Sequence, residues 1–271
     1  MAIGVVGAVL AVVALIAYLI FRSVSDSGDA LAAWEKAEQD SSADLPGEFV
    51  PSQGRGHFSH TFSRERDPFP FCPGVEYAGA EDAEGEETAV ATEEAEATPT
   101  AAAEQTPTPE GTTVDHDSPS PTGTPPADCY NSNPPSSGQH LGVQNNVEVV
   151  DGIILPRIPP DPRVYPSDMP MPREAIPHIL EHAGVFVGYH CAEGDQACLD
   201  VVAELEDLVN DRIDNNDDRV VMALYPDLPE GQIGLSAWTR VMRFNYEDYD
   251  EGAVEDFIGT HSCRFDPEGF C

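Results

Sequence analysis

The chain has 271 residues, 49 of them acidic against 13 basic, for a formal net charge of -36. Such a charge excludes electrostatic binding to nucleic acid or to an anionic membrane surface, and it favours cations and solubility. The length allows one large domain or two small ones, and surplus carboxylate with a single lysine, Lys36, also fits a salty medium in which charge is screened over short distances.

Residues 2–20 are almost wholly apolar and carry no charge; Phe21 extends the run and Arg22 ends it. A spanning helix needs about 20 such residues. A cleaved leader would have a charged start and a shorter apolar core. The expectation is therefore a transmembrane anchor at 1–22, followed by a polar, Ala-rich stalk at 23–45. Arg22 alone argues for a cytoplasmic C-terminal side. The cysteines and a Thr/Pro stretch argue for the outside, so the expected placement is the cell membrane, single-pass, with the domain extracytoplasmic.

At 46–77 the texture changes. Phe49, Phe58, Phe62, Phe69, Phe71 and Tyr77 give enough aromatic surface for the N-terminal part of a globular domain. The turn around Gly54, Arg55 and Gly56 leads into His57. Residues 78–128 are an acidic insert with Thr-Pro repeats, too polar to repay the ordering of the chain, so disorder is expected there. A main globular domain, 129–271, follows. Its first loop, 131–140, ends on His140.

The stretch 147–154 reads as a strand with a break. A Pro-rich connector carries Met169-Pro170-Met171-Pro172. Next comes the stretch around which the domain is organised, Pro177 to Gly184, with two histidines and a carboxylate in five residues. On a helix His178 and His182 share a face, as two imidazoles gripping one metal ion would. Gly184 suits the position just past the helix end. The plainer alternative has one histidine capping the helix and the other in the core.

Residues 185–189 read as a buried strand. Asp195 is a good N-cap for an amphipathic helix through Leu199, Val202, Leu205, Leu208, Val209 and Ile213, ended at Asn215 and Asn216. Strands are expected at 219–224 and, as one element containing Trp238, at 234–244. A short helix around Ala253, Val254, Phe257 and Ile258 comes last. This order implies an α+β fold, a small mainly antiparallel sheet packed with two to three helices.

Six cysteines suit an oxidising compartment and allow fifteen pairings. Sequence neighbours give Cys72 with Cys129, Cys191 with Cys198, and Cys263 with Cys271. Thiolate metal ligation is the alternative, weakened by the lack of any C-x-x-C.

Pro134-Pro135-Ser136-Ser137-Gly138-Gln139-His140 and His178-Ile179-Leu180-Glu181-His182-Ala183-Gly184-Val185 resemble the two signatures of the family called domain of unknown function 3105. Gly54 to His57 resembles its Gly-Arg-x-His turn, and Ala237-Trp238 its late strand. Ala183 stands where that family has glycine, and Ser136 where it has threonine. The resemblance spans roughly 46–77 and 129–262. It implies a membrane-anchored, cell-surface domain of a prokaryote and assigns no function.

Three readings of the histidines follow. The first is metal binding by His57, His140, His178 and His182, with Met169 or Met171 as soft ligands and Glu181 orienting an imidazole from behind. Copper is the first choice and zinc the second. The second reading is a structural or adhesive surface module with a protein partner at the cell surface. The third is a zinc hydrolase, because His178 to His182 matches H-x-x-E-H. His60, His190 and His261 are expected at the surface or in the tail.

Overall fold

The computed structural model describes residues 34–58, 62, 64, 68–78, 128–142, 149–150 and 153–271. The expected anchor at 1–22 and nearly all of the acidic insert lie outside them. Among the described residues no helix is long and apolar enough to cross a membrane.

The strands are β1 (Glu48–Phe49), β2 (Val149–Val150), β3 (Ile153–Ile154), β4 (Arg163–Val164), β5 (Val185–His190), β6 (Val220–Leu224), β7 (Gln232–Ala237) and β8 (Arg240–Asn245). The helices are α1 (Ile176–Glu181), α2 (Gln196–Asn216) and α3 (Glu251–His261). Among the described residues the main sheet has six strands in the order β1-β8-β7-β5-β6-β4, and β2 and β3 form a separate antiparallel pair.

The fold is α+β, but the sheet is mixed. The pairs β1·β8, β7·β8 and β5·β7 are antiparallel, whereas β5·β6 and β4·β6 are parallel. The physical reason is α2. A 21-residue helix between β5 and β6 returns the chain to the start of the sheet, and such a crossover makes neighbours parallel. Asp195 caps it as expected, accepting from the backbone N–H groups of Ala197 and Cys198.

The expected single strand at 234–244 is a hairpin. Trp238 and Thr239 form its turn, with Thr239 at φ 63°. No glycine or asparagine marks that turn, so the sequence reads through it. The break expected within 147–154 separates β2 from β3.

Strand alternation divides the interior into two cores. Val185, Val187 and Tyr189 of β5, with Val220 and Met222 of β6, pack against α2 and α3 through Val202, Leu205, Val209, Val254 and Phe257. Phe186 of β5, with Val221 and Ala223 of β6, faces the other way and packs with Ile176, Ile179 and Leu180 of α1 and with Trp238. This second core is the floor on which the histidines stand. Met171, 1 % exposed, lies in it and Met169 packs against it.

Residues 34–39 are helical and dock on the domain. Trp34 packs against the α1-side core, and Glu38 is buried, accepting from Ser52 Oγ and from Trp238 Nε1. The second half of the expected stalk is thus part of the folded unit. The cysteines are joined as Cys72–Cys129, Cys191–Cys198 and Cys263–Cys271, leaving none free.

Candidate metal centre

Two segments converge above α1. The 54–58 and 138–142 segments run side by side: Gly54 O accepts from Gly138 N, Gly56 O from His140 N, and His140 O from Phe58 N at 2.9, 2.9 and 2.7 Å. This pairing, a parallel bridge between His57 and His140, sets two imidazole centroids 4.5 Å apart. Leu141 N donates to Glu174 O at 2.8 Å, which ties the pair to the turn that opens α1.

His178 and Glu181 come up from α1. One ligand atom from each of His57, His140, His178 and Glu181 lies within 4.8 Å of the others. Atoms bound to one ion at about 2.1 Å are at most about 4.2 Å apart, so the group needs only a small contraction to hold an ion. Glu181 therefore offers an oxygen to the same point as the imidazoles. This differs from the expected place behind an imidazole.

The backbone fixes two of the rings. His140 Nδ1 lies 2.8 Å from Gly138 O and His178 Nδ1 lies 2.5 Å from Leu141 O. A carbonyl cannot donate, so each Nδ1 carries the proton, and a neutral ring then presents the Nε2 lone pair. His140 Nε2 faces Glu181 Oε2 at 3.1 Å. Two acceptors at that distance need a cation between them, either a proton or a metal ion. Glu181 Oε1 in turn accepts from Arg55 at 3.2 Å, and Arg55 lies over Trp34 at 4.9 Å. His57 Nε2 stands 3.7 Å from Glu181 Oε2.

The electrostatics keep His178 and His182 neutral and the Glu181 carboxylate charged. Burial, with the neighbouring His140, His182 and His57, lowers the His178 pKa to about 2. Burial lowers His182 to about 4, partly opposed by Glu181. Burial alone would raise Glu181, but the hydrogen bond and charge of His140, with Arg55 and His57, hold it at about 2.

His182 is set apart. The helix ends at Glu181, and His182 has left it with ψ 36°. Its Nε2 lies 3.1 Å from His178 Nε2 and 3.2 Å from Glu268 Oε2, and its ring stacks on Phe270 at 4.1 Å. Ala183, not Gly184, takes the left-handed conformation, at φ 63°. Gly184 is required for close approach, since a Cβ there would sit 2.7 Å from the Ile179 carbonyl oxygen.

Of the other histidines, His190 is partly exposed and holds Leu228 O. His261 is not a surface residue. It is 2 % exposed, packed on Phe257, with Nε2 bonded to Pro46 O. His60 lies outside the described residues. Arg55, Glu268 and Phe270 have roles that motif spacing does not reveal. Only the fold brings the Cys263–Cys271 tail to His182.

Residues 155–269 match the model of the family described as protein of unknown function, DUF3105. Over this segment, less than half of the chain, the sequence is similar to that family. The match takes in α1 with His178, Glu181 and His182, and also Glu268; it leaves out His57 and His140. The matched segment therefore supplies one wall of the centre, and the chain before it supplies the other. Searches of curated proteins and of solved structures each found no match.

Proposed function

We propose that this protein binds one divalent transition-metal ion through His57, His140, His178 and Glu181, at the extracytoplasmic face of a membrane. The observation that carries the reading is the pair of backbone-fixed imidazoles, His140 and His178. Carbonyl oxygens hold their Nδ1–H groups, as ligating histidines are commonly held; His140 Nε2 faces the Glu181 carboxylate, and a ligand atom of each ring lies within 4.8 Å of a Glu181 oxygen. Three nitrogens and a carboxylate suit copper and zinc, and the affinity order favours Cu²⁺. The buried Met171 gives no support to a thioether site for Cu(I), so we propose Cu²⁺ first and Zn²⁺ second.

Three disulfides support an oxidising compartment. The apolar run at 1–22 supports a membrane anchor. An ion held there would be exchanged with another protein at the cell surface. Hydrolysis is a weaker reading. Both oxygens of Glu181 are engaged, one by Arg55 and one by His140, so it is poorly placed to serve as the free base that H-x-x-E-H chemistry requires.

A second reading has its own observation: Arg55 at 3.2 Å already balances Glu181. In that case the proton on His140 is the bridging cation, and the cluster is architecture. Elemental mass spectrometry of the full chain, produced in an oxidising compartment, separates the two. Near-stoichiometric copper or zinc, lost in His140→Ala/His178→Ala, is the expected result. No metal after reconstitution would sink the proposal and leave the polar core.

A further inference from the structure

We propose that His182 and Glu268, sharing His178 with the inner group, form a second, outer position for the same ion, covered by Phe270 of the Cys263–Cys271 loop. The inference rests on the metal-binding reading and explains why His182, just past the helix end, stands outside the inner four.

Three atoms are in sequence: His178 Nε2, His182 Nε2 at 3.1 Å from it, and Glu268 Oε2 at 3.2 Å from His182. Two nitrogens or oxygens bound to one tetrahedral ion at about 2.1 Å are about 3.4 Å apart, so each neighbouring pair is spaced as two ligands of one ion are. His178 has one lone pair to give, because Leu141 O holds its Nδ1–H. It can complete the inner set or the outer one, but not both at once. Occupancy therefore alternates, and movement of the ion from outer to inner position needs only a change of partner at His178.

The two positions open to different surroundings. The inner group reaches solvent through His57, whose side chain is 33 % exposed. The outer one reaches it through Glu268, 42 % exposed, beside a cleft lined by Arg157, Asp161, Arg219 and Phe270. Phe270 stacks on His182 and lies under the Arg219 guanidinium at 5.1 Å. The disulfide to Cys263 keeps that ring in place. A site with two mouths suits an ion that is taken up at one and released at the other.

The test uses the full chain with Cu²⁺ or Zn²⁺ as the probe. His57→Ala/Glu181→Gln removes half of the inner set. That variant should still bind one ion, and adding His182→Ala or Glu268→Gln should weaken its binding by at least about tenfold. In the otherwise wild-type chain, Glu268→Gln should leave the stoichiometry at one ion and slow loading, and Phe270→Ala should speed loading. Circular dichroism confirms that each variant is folded. If the wild type binds an ion but neither His182 nor Glu268 alters affinity or rate, the outer position is overturned. If the wild type binds none, the failure belongs to the metal-binding reading itself.

Discussion

Nε2 of His140 lies 3.1 Å from Oε2 of Glu181 across 41 residues of sequence, while Nδ1 of the same ring is held by Gly138 O. The pair is buried, so whatever cation bridges it is shielded from bulk water and its contribution is large. Glu181→Gln replaces the charged oxygen with a neutral amide of nearly the same shape. The expected result is a loss of metal retention of at least about tenfold and a loss of about 1.5–3 kcal/mol of metal-free stability, because Arg55 and His140 lose a charged acceptor. Equilibrium urea unfolding and metal titration of the same sample check both. Unchanged metal retention would exclude Glu181 as a ligand.

Stability should fall on acidification, and the sign follows from the histidines. The pKa of His182 is lowered to about 4 and that of His178 to about 2 in the folded protein, against 6.5 for the free group. The unfolded chain therefore binds more protons than the folded one below pH 6.5, and protonation favours unfolding. The contribution is fully present above pH 6.5. It is lost progressively as pH falls toward 4, and further toward 2. Glu181, lowered from 4.5 to about 2, adds a loss of the same sign below pH 4.5. Thermal unfolding of the metal-free chain should be flat above pH 7 and drop between pH 6.5 and 4. His182→Asn should flatten the upper part of that drop, and an identical profile in this variant would refute the assignment.

The parts of the fold that were legible are those written in local pattern. The buried run of β5, the apolar spacing of α2 and its Asp195 cap each follow from neighbours in sequence. So does the place of His178 on α1, but not that of Glu181, which was expected behind an imidazole and instead stands beside the rings. His57 and His140 were named beside His178 by motif resemblance, and not by any local pattern. His57 and His140 meet because 54–58 runs beside 138–142, a long-range parallel pairing whose register no local pattern encodes. The buried Glu38 and Arg240 escaped for a related reason. Arg240 is 1 % exposed and holds the carbonyls of Gly47, Asp40 and Ser42, and charged residues read as surface until their acceptors are known. The hairpin at Trp238 was missed because Thr239 adopts a left-handed conformation without the residue that usually signals it.

Ala183 and Gly184 invert the usual order at a helix end. Ala183 takes φ 63°, its carbonyl accepting from Cys263 N at 2.9 Å, and Gly184 sits against the Ile179 carbonyl. A left-handed alanine costs on the order of 1 kcal/mol in strain. Ala183→Gly relieves it at some cost in unfolded-chain entropy, for an expected net gain of about 0.5–1 kcal/mol. Gly184→Ala should do the opposite, with a loss of about 1–3 kcal/mol from the forced contact. Chemical denaturation of both variants checks this. Equal effects at the two positions would mean that the helix end can shift to relax them.

The Cys72–Cys129 bond joins segments separated by 57 residues. Around it Cys72 N donates to Tyr130 O and Tyr130 N to Pro70 O, each at 2.8 Å, and Phe69, Phe71 and Tyr130 pack as one aromatic cluster. The bond and the cluster hold the two halves of the domain together on either side of the insert, and those halves carry His57 and His140. Closing a loop of this length is worth about 4 kcal/mol in chain entropy. Cys72→Ser/Cys129→Ser should lower stability by about 2–4 kcal/mol. It should also weaken metal binding in proportion, because the 54–58 and 138–142 segments must then find each other from a longer open chain. The control is Cys191→Ser/Cys198→Ser, which opens a loop of separation 7 at the far end of β5. It should reduce stability less and leave metal titration unchanged. A metal affinity that survives loss of the Cys72–Cys129 bond would show that the paired segments are held by their backbone hydrogen bonds and aromatic packing alone.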